Sequence, residues 1–233
     1  MTRSESYSLL LDYAPDEAKR FFRDAHKFCA SHHQSGLNYI ACNSMLRPAD
    51  ITPEKFFSEY VWCIMASGFN ARVVYDKFQE IRRVLKGFDL SSVNPTYIPR
   101  SGMRVIANKA KWDAVASCVR LLKSTQWDEF RSTYMTSVDA MEKLPRIGPV
   151  VKYHLARNLG FDVVKPDLHL QRVADRFKAA SPDGFCRSIQ LSVDEAGLLT
   201  LGQIDYCVWC FLSHAGKVRT CCFREDPETL SLR

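Results

Sequence analysis

Leu144-Pro-Arg-Ile-Gly-Pro-Val-Val-Lys152, followed by Lys165-Pro-Asp-Leu-His169, is the stretch on which the reading of this chain turns. Gly148 falls in a tight turn opened by Pro145, and an apolar helix over residues 150–159 runs out of it. Such a turn presents successive backbone N–H groups at a helix N-terminus, where the dipole is positive. That is a place for an anion, and the most abundant linear anion is a nucleic-acid backbone. Nineteen residues beyond Gly148 a carboxylate, Asp167, stands between a proline and a new helical run. Leu170, Val173, Ala174 and Phe177 form one apolar stripe of a helix over 168–179, so Asp167 reads as its N-cap. An anion grip and a carboxylate at this separation point to one chain that holds a polyanion and does chemistry on it.

Working outward, the dominant period is helical. Residues 16–31 place Ala18, Phe21, Phe22, Ala25 and Phe28 on one face, after Pro15 at a helix start. Residues 34–50 read as a loop with short turns. Thr52-Pro53 is a cap followed by a first-turn proline, and 56–67 is a strongly apolar helix behind it. Ser67-Gly68-Phe69-Asn70 interrupts the pattern, which resumes over 71–86 with Val74, Phe78, Ile81 and Leu85 inward. Residues 91–101 carry two prolines and read as a connection. Further helices are predicted at 105–123, 126–135, 138–143, 149–159, 168–179, 193–199 and 201–215. The fold class is all-α.

The chain has 233 residues, a net charge of +6 at pH 7 and a pI near 8.8, which suits a polyanionic partner without demanding one. Nine cysteines, an odd number with no framework spacing, suggest free thiols in an intracellular, reducing compartment, cytoplasmic or nuclear. The N-terminus has no apolar signal-like core and no run approaches membrane length, so the expectation is a protein away from membranes.

On Leu144-Pro145-Arg146-Ile147-Gly148 and the later Asp167-Leu168-His169-Leu170 with Arg172, the chain resembles the helix-hairpin-helix DNA glycosylases of the endonuclease III type. Residues 57–85 are similar to the long helix pair that precedes that family's hairpin. Ala107-Asn-Lys-Ala-Lys-Trp112 looks like the helix before the hairpin, and Trp209-Cys-Phe-Leu-Ser-His-Ala-Gly216 like the helix that ends the fold. The likeness spans roughly Pro53 to Cys222. It implies a two-lobed helical fold with the active site in the cleft between lobes. One lobe would comprise 1–52 and 181–233. The other would be a core, 53–180, carrying the hairpin 138–159 and a catalytic loop 163–169. It further implies base-excision chemistry on double-stranded DNA, acting as a monomer.

Carried over residue by residue, the resemblance makes Asp167 the catalytic carboxylate. It would stabilise the oxocarbenium-like sugar and orient or deprotonate water. Pro145, Arg146, Ile147, Gly148 and Val150 would form the DNA grip, with Phe69 and Asn70 on the loop that fills the gap left by a flipped base. Bifunctional relatives carry a nucleophilic lysine two residues after the hairpin glycine; here Val150 stands there. The expectation is therefore a monofunctional enzyme with water as attacker. Lys152 lies about 200° further round the helix, a phosphate or pocket contact rather than the first choice of nucleophile. Trp62 and Trp112, with Tyr60, are candidates for a base pocket or for the core. Lys165 and His169 would brace the loop, and Arg172 is a structural or phosphate residue.

The family's iron–sulfur loop has no full counterpart, because Cys207-Val-Trp-Cys210 and Cys221-Cys222 do not reproduce its spacing. The cysteines read as core or incidental thiols, so no cofactor is expected; the alternative is zinc at Cys207, Cys210, Cys221 and Cys222. Two other functions stay open. One is a glycosylase acting on hypermodified bases of phage DNA; the other is a non-catalytic helix-hairpin-helix DNA binder, for which Asp167 is superfluous.

Overall fold

A computed structural model describes residues 9–69, 71–193 and 199–214. Among them every regular element is helical and no strand occurs, as the apolar period predicts. In chain order the α-helices are α1 (Ala18–His32), α2 (Gln34–Ser44), α3 (Pro53–Ala66), α4 (Ala71–Val84), α5 (Ile98–Gly102), α6 (Lys109–Ser124), α7 (Trp127–Tyr134), α8 (Val138–Met141), α9 (Val151–Asn158), α10 (Leu168–Arg176), α11 (Pro182–Val193) and α12 (Leu201–His214). Short 3-10 turns lie at Pro48–Asp50 and Lys86–Phe88. No helix is long and apolar enough to cross a membrane among the described residues.

Several boundaries follow from caps visible in the sequence. The Thr52 hydroxyl accepts from the Lys55 N–H at 3.2 Å and Pro53 opens α3. Asn108 caps α6 in the same way, accepting from the Lys111 N–H, so that helix starts at Lys109 and not at 105. Other elements depart from expectation. Residues 34–44 form α2 instead of a loop, because Leu37 and Ile40 are buried one turn apart. Gly36 makes room there: a Cβ on it would lie 1.8 Å from the Tyr206 hydroxyl oxygen. α11 was not anticipated either; Pro182 opens it behind Ser181, whose hydroxyl accepts from the Gly184 N–H at 3.0 Å. The helix expected over 193–199 falls mostly outside the described residues.

The chain divides into two units, Met1–Met45 with Gly160–Arg233, and Leu46–Leu159. Residues 160–180, expected beside the hairpin, therefore group with the terminal segments, and residues 46–52 group with the hairpin. Hydrogen bonds explain both. The Lys165 N–H donates to the buried Asp205 carboxylate of α12 at 2.7 Å, and Asp162 accepts from the Leu201 N–H at 2.9 Å. The carbonyl of buried Ile51 accepts from the Trp127 indole N–H at 3.2 Å.

In the terminal unit α12 lies against α1, burying Ile204, Cys207, Val208, Phe211 and Leu212 with Phe21, Phe22, Ala25 and Cys29. The Phe21 ring meets Tyr13 edge-on at 5.3 Å and Phe211 at 5.8 Å between centroids. Each aromatic of this size contributes about 1.5–3 kcal/mol through burial.

In the hairpin unit α3 is covered on nearly every side, with Phe56, Phe57, Tyr60, Val61 and Ile64 wholly buried, which is the signature of a core helix. Its one buried acid, Glu59, is neutralised by Lys55 at 2.7 Å and accepts from the Asn158 side chain of α9 at 3.0 Å. The C-terminal end of α3 is closed by a cation. Lys111 of α6 is 2 % exposed, and its ammonium donates to the carbonyls of Ile64 at 2.7 Å, Met65 at 2.6 Å and Ser67 at 2.6 Å. Those carbonyls sit at the end of the helix and carry the negative end of its dipole; of the three, that of Ile64 also accepts from the Ser67 hydroxyl at 2.8 Å. Burial, with the nearby positive charge of Arg146, lowers the Lys111 pKa from 10.5 to about 8, so the amine still carries its charge at neutral pH.

Replacing Lys111 with Met removes all three donors while filling the same volume. We expect a loss of about 2–3 kcal/mol in denaturant unfolding, since the helix-end carbonyls stay buried. The proton linkage has a definite sign. Because the folded pKa is below the unfolded one, the unfolded chain binds more protons between about pH 8 and 10.5. Lys111 therefore makes stability rise with pH across that window, and the Met variant loses this increment of the slope.

Candidate functional site

The hairpin runs from α8 to α9 through Leu144–Val150. Leu144 and Ile147 are buried and anchor the turn, and the Ile147 N–H donates to the Leu144 carbonyl at 3.1 Å. Pro145 is thus the second residue of a four-residue turn. Arg146, the third, has φ +58°, as in a type II turn, where glycine is the usual occupant. The conformationally demanding residue is therefore Arg146 and not Gly148. No protein atom within 4 Å would meet a Cβ at Gly148, so nothing in the chain itself excludes a side chain there. Both Arg146 and Val150 are exposed.

Three contacts hold this turn. The Tyr60 hydroxyl of α3 lies 2.6 Å from the Pro145 carbonyl, to which it donates, and 3.2 Å from the Ala114 carbonyl. With one hydrogen to give, it serves the closer carbonyl. Lys152 of α9 spans back to α8, with its ammonium 2.7 Å from Asp139 and 2.7 Å from Glu142. These carboxylates push its pKa up, so the amine is held protonated. Lys152 thereby ties together the two helices of the hairpin. The third contact is the Asn158–Glu59 bond, which anchors the far end of α9.

The turn after α3 is described as far as Phe69. Gly68 has φ +68°, and Phe69 is exposed, with its ring centroid 4.4 Å from the Lys111 ammonium. The cation that closes α3 therefore also supports this aromatic ring from beneath. Asn70 lies outside the described residues. Of the tryptophans weighed for a base pocket, Trp112 is wholly buried, its indole N–H donating to the Ile106 carbonyl at 2.8 Å. Its ring fills the space at Gly102, where a Cβ would come within 2.1 Å. Trp112 is a core residue, because a glycine was placed to receive it. Trp62 is half-buried and packs edge-on against Phe78 at 5.3 Å.

In the terminal unit, Asp167 is the N-cap of α10, as its position between proline and helix predicts. One carboxylate oxygen accepts from the His169 N–H at 2.9 Å and the Leu170 N–H at 3.2 Å; the other lies 3.4 Å from the Lys165 ammonium. Its side chain keeps 14 % of its surface exposed. His169 sits beside it with its pKa lowered by burial, which favours the neutral imidazole. Sequence reasoning missed Asp205, whose buried carboxylate fixes the backbone of Lys165 and so positions the whole segment before Asp167. Its only trace in the sequence is an acid inside an otherwise apolar helix. Sequence reasoning also missed Lys111, legible only as a lysine in the first turn of α6.

Comparison of the chain with known protein families, with curated proteins and with solved structures found no match in any of the three.

The left-handed Arg146 supplies a direct test of strain. Arg146→Gly removes the Cβ conflict and should raise stability by about 0.5–1 kcal/mol, read as a higher denaturant midpoint at unchanged slope. A lower midpoint would mean that the arginine side chain stabilises the turn by more than its backbone costs.

Proposed function

We propose that this protein is a DNA N-glycosylase that hydrolyses the bond between a damaged or modified base and its sugar in double-stranded DNA. It works as a monomer, through water and without a covalent amine intermediate. The observation that carries the reading is the hairpin turn. An exposed arginine is kept in a strained conformation, at a turn braced by Tyr60 and Lys152 and open at Gly148. Strain of this kind clusters at ligand-binding positions. A turn that leads into a helix N-terminus, with a guanidinium beside it, has the chemistry of a phosphate contact.

Asp167 supplies the charge for the reaction. Breaking an N-glycosidic bond builds positive charge on the sugar, and a carboxylate held rigidly by two backbone N–H groups stabilises that charge without reorganising. The Lys165 ammonium lies 3.4 Å from the carboxylate's second oxygen. Val150 offers no amine, and Lys152 is occupied by Asp139 and Glu142, so the reading assigns neither a lyase role. Phe69, exposed and supported on Lys111, is the side chain offered to the base stack. A second reading, a helix-hairpin-helix DNA binder without catalysis, is favoured by one detail. The Asp167 oxygens already serve as a helix cap and as a partner for Lys165, which is sufficient reason for an aspartate at this position.

The deciding experiment incubates the purified chain with duplexes carrying a panel of modified bases, followed by alkali to reveal abasic sites. Asp167→Asn keeps the shape and the cap and removes the charge. It should abolish base release while leaving duplex affinity and melting temperature nearly unchanged. Full turnover by the Asn variant would reduce Asp167 to a helix cap and overturn its catalytic role, whereas no release from any duplex by the wild type would leave the non-catalytic reading. Borohydride should trap no protein–DNA adduct, because trapping needs a Schiff base. An adduct lost in Lys152→Ala would overturn the monofunctional assignment. Arg146→Gly should weaken binding to all duplexes alike and reduce the salt-dependence slope by about 0.9, the loss of one phosphate contact.

A further inference from the structure

We propose that His33, Cys210 and His214, with Cys29 as fourth ligand, hold a structural zinc ion that staples the C-terminal end of α1 to the C-terminal end of α12. The ligand atoms of His33, Cys210 and His214 all lie within 4.8 Å of one another. In a tetrahedral zinc site such atoms stand about 3.3–3.8 Å apart, so small side-chain rotations bring them onto one ion. The Cys29 side chain neighbours those of Cys207 and Cys210 in the same buried core, which brings a second sulfur beside the cluster.

Helical spacing makes the arrangement regular. Cys29 and His33 are four residues apart, with the His33 N–H still donating to the Cys29 carbonyl at 2.7 Å as in a continuing helical turn. Cys210 and His214 repeat the same spacing on α12. Residues four apart on a helix share a face, so each helix end presents one sulfur and one imidazole to the other. The orientation of His214 is already that of a ligand. Its Nδ1 lies 3.0 Å from the Cys210 carbonyl, which can only accept, so Nδ1 carries the proton and Nε2 the lone pair. A backbone carbonyl that fixes the tautomer in this way is the usual outer-shell partner of a zinc-bound histidine.

Charge balance favours zinc at this depth. Cys29 and Cys210 are fully buried, and His33 is 1 % exposed. On binding, the two thiols lose their protons to solvent while both imidazoles enter neutral. Two thiolates then offset the two positive charges of the ion, and no net charge is left in the core. With four protein ligands the site is closed and has no position for a substrate or water, which makes its role structural. Cys207, one turn before Cys210, is then a sulfur neighbour and not a ligand.

The test uses the full chain purified without chelator. Elemental analysis should find about one zinc per chain, and removing it with a strong chelator should lower the melting temperature, restored by zinc alone. Cobalt added to the stripped protein should give the intense visible bands of a tetrahedral ion and a thiolate charge-transfer band whose strength corresponds to two sulfurs. His214→Gln and Cys29→Ser should each lose the metal, whereas Cys207→Ala and the Cys221→Ser/Cys222→Ser pair should keep it. If a variant fails to fold, the cobalt spectrum of the wild type still decides. Absence of bound metal together with no cobalt spectrum would overturn the proposal. So would iron with acid-labile sulfide in place of zinc, or loss of metal in the Cys221/Cys222 variant. None of these readouts depends on DNA or on Asp167, so this result and that of the glycosylase test are independent.

Discussion

The hairpin unit depends on the buried ammonium of Lys111. The last turn of a helix leaves carbonyls without the usual intrahelical N–H partners, and in α3 that turn carries the buried Ile64 and Met65. Lys111 meets Ile64, Met65 and Ser67 together, and the same ammonium lies under the exposed ring of Phe69. One charge thus completes a core helix, sets the path of the chain after it and supports an aromatic at the surface. Its cost is desolvation, visible in the lowered pKa. A hydrocarbon could fill this volume but would satisfy none of the carbonyls.

Around α3 the hairpin is held by polar contacts reaching out of the core. Tyr60 takes the Pro145 carbonyl and Glu59 takes Asn158, so the turn and the far end of α9 are tied to the same helix. Lys152, paired with Asp139 and Glu142, locks the hairpin's own helices together. A turn supported this firmly can hold a residue such as Arg146 in a conformation that the isolated peptide would avoid. The strain sits on the exposed residue, while buried Leu144 and Ile147 on either side anchor the turn.

The terminal unit follows another plan. Its core is aromatic and aliphatic contact between α1 and α12, while carboxylates govern the loop that leads to Asp167. Asp162 caps the start of α12, Asp205 within α12 holds the backbone of Lys165, and Asp167 caps α10. Three acids therefore define the path of a few residues. The carboxylate proposed for the chemistry is consequently rigid, with its orientation decided by backbone N–H groups and not by flexible side chains.

The sequence alone determined the helical class, the caps at Thr52 and Asp167, and the position of the hairpin turn. All three rest on local chemistry: an apolar period, a side-chain oxygen ahead of a helix, and a proline at the second position of a turn. It left α2 looking like a loop, because the helix is stabilised by what Leu37, Ile40 and Gly36 meet on other elements. Only the tertiary structure could assign the buried cation at the end of α3, the left-handed residue to Arg146 instead of Gly148, and Trp112 to the core. It also brought Cys29 and His33 to Cys210 and His214 across more than half the chain, although each pair's four-residue spacing is plain in the sequence. Spacing within a helix is written locally, whereas the partner of a buried charge, a thiol or an imidazole is chosen by how helices distant in sequence pack.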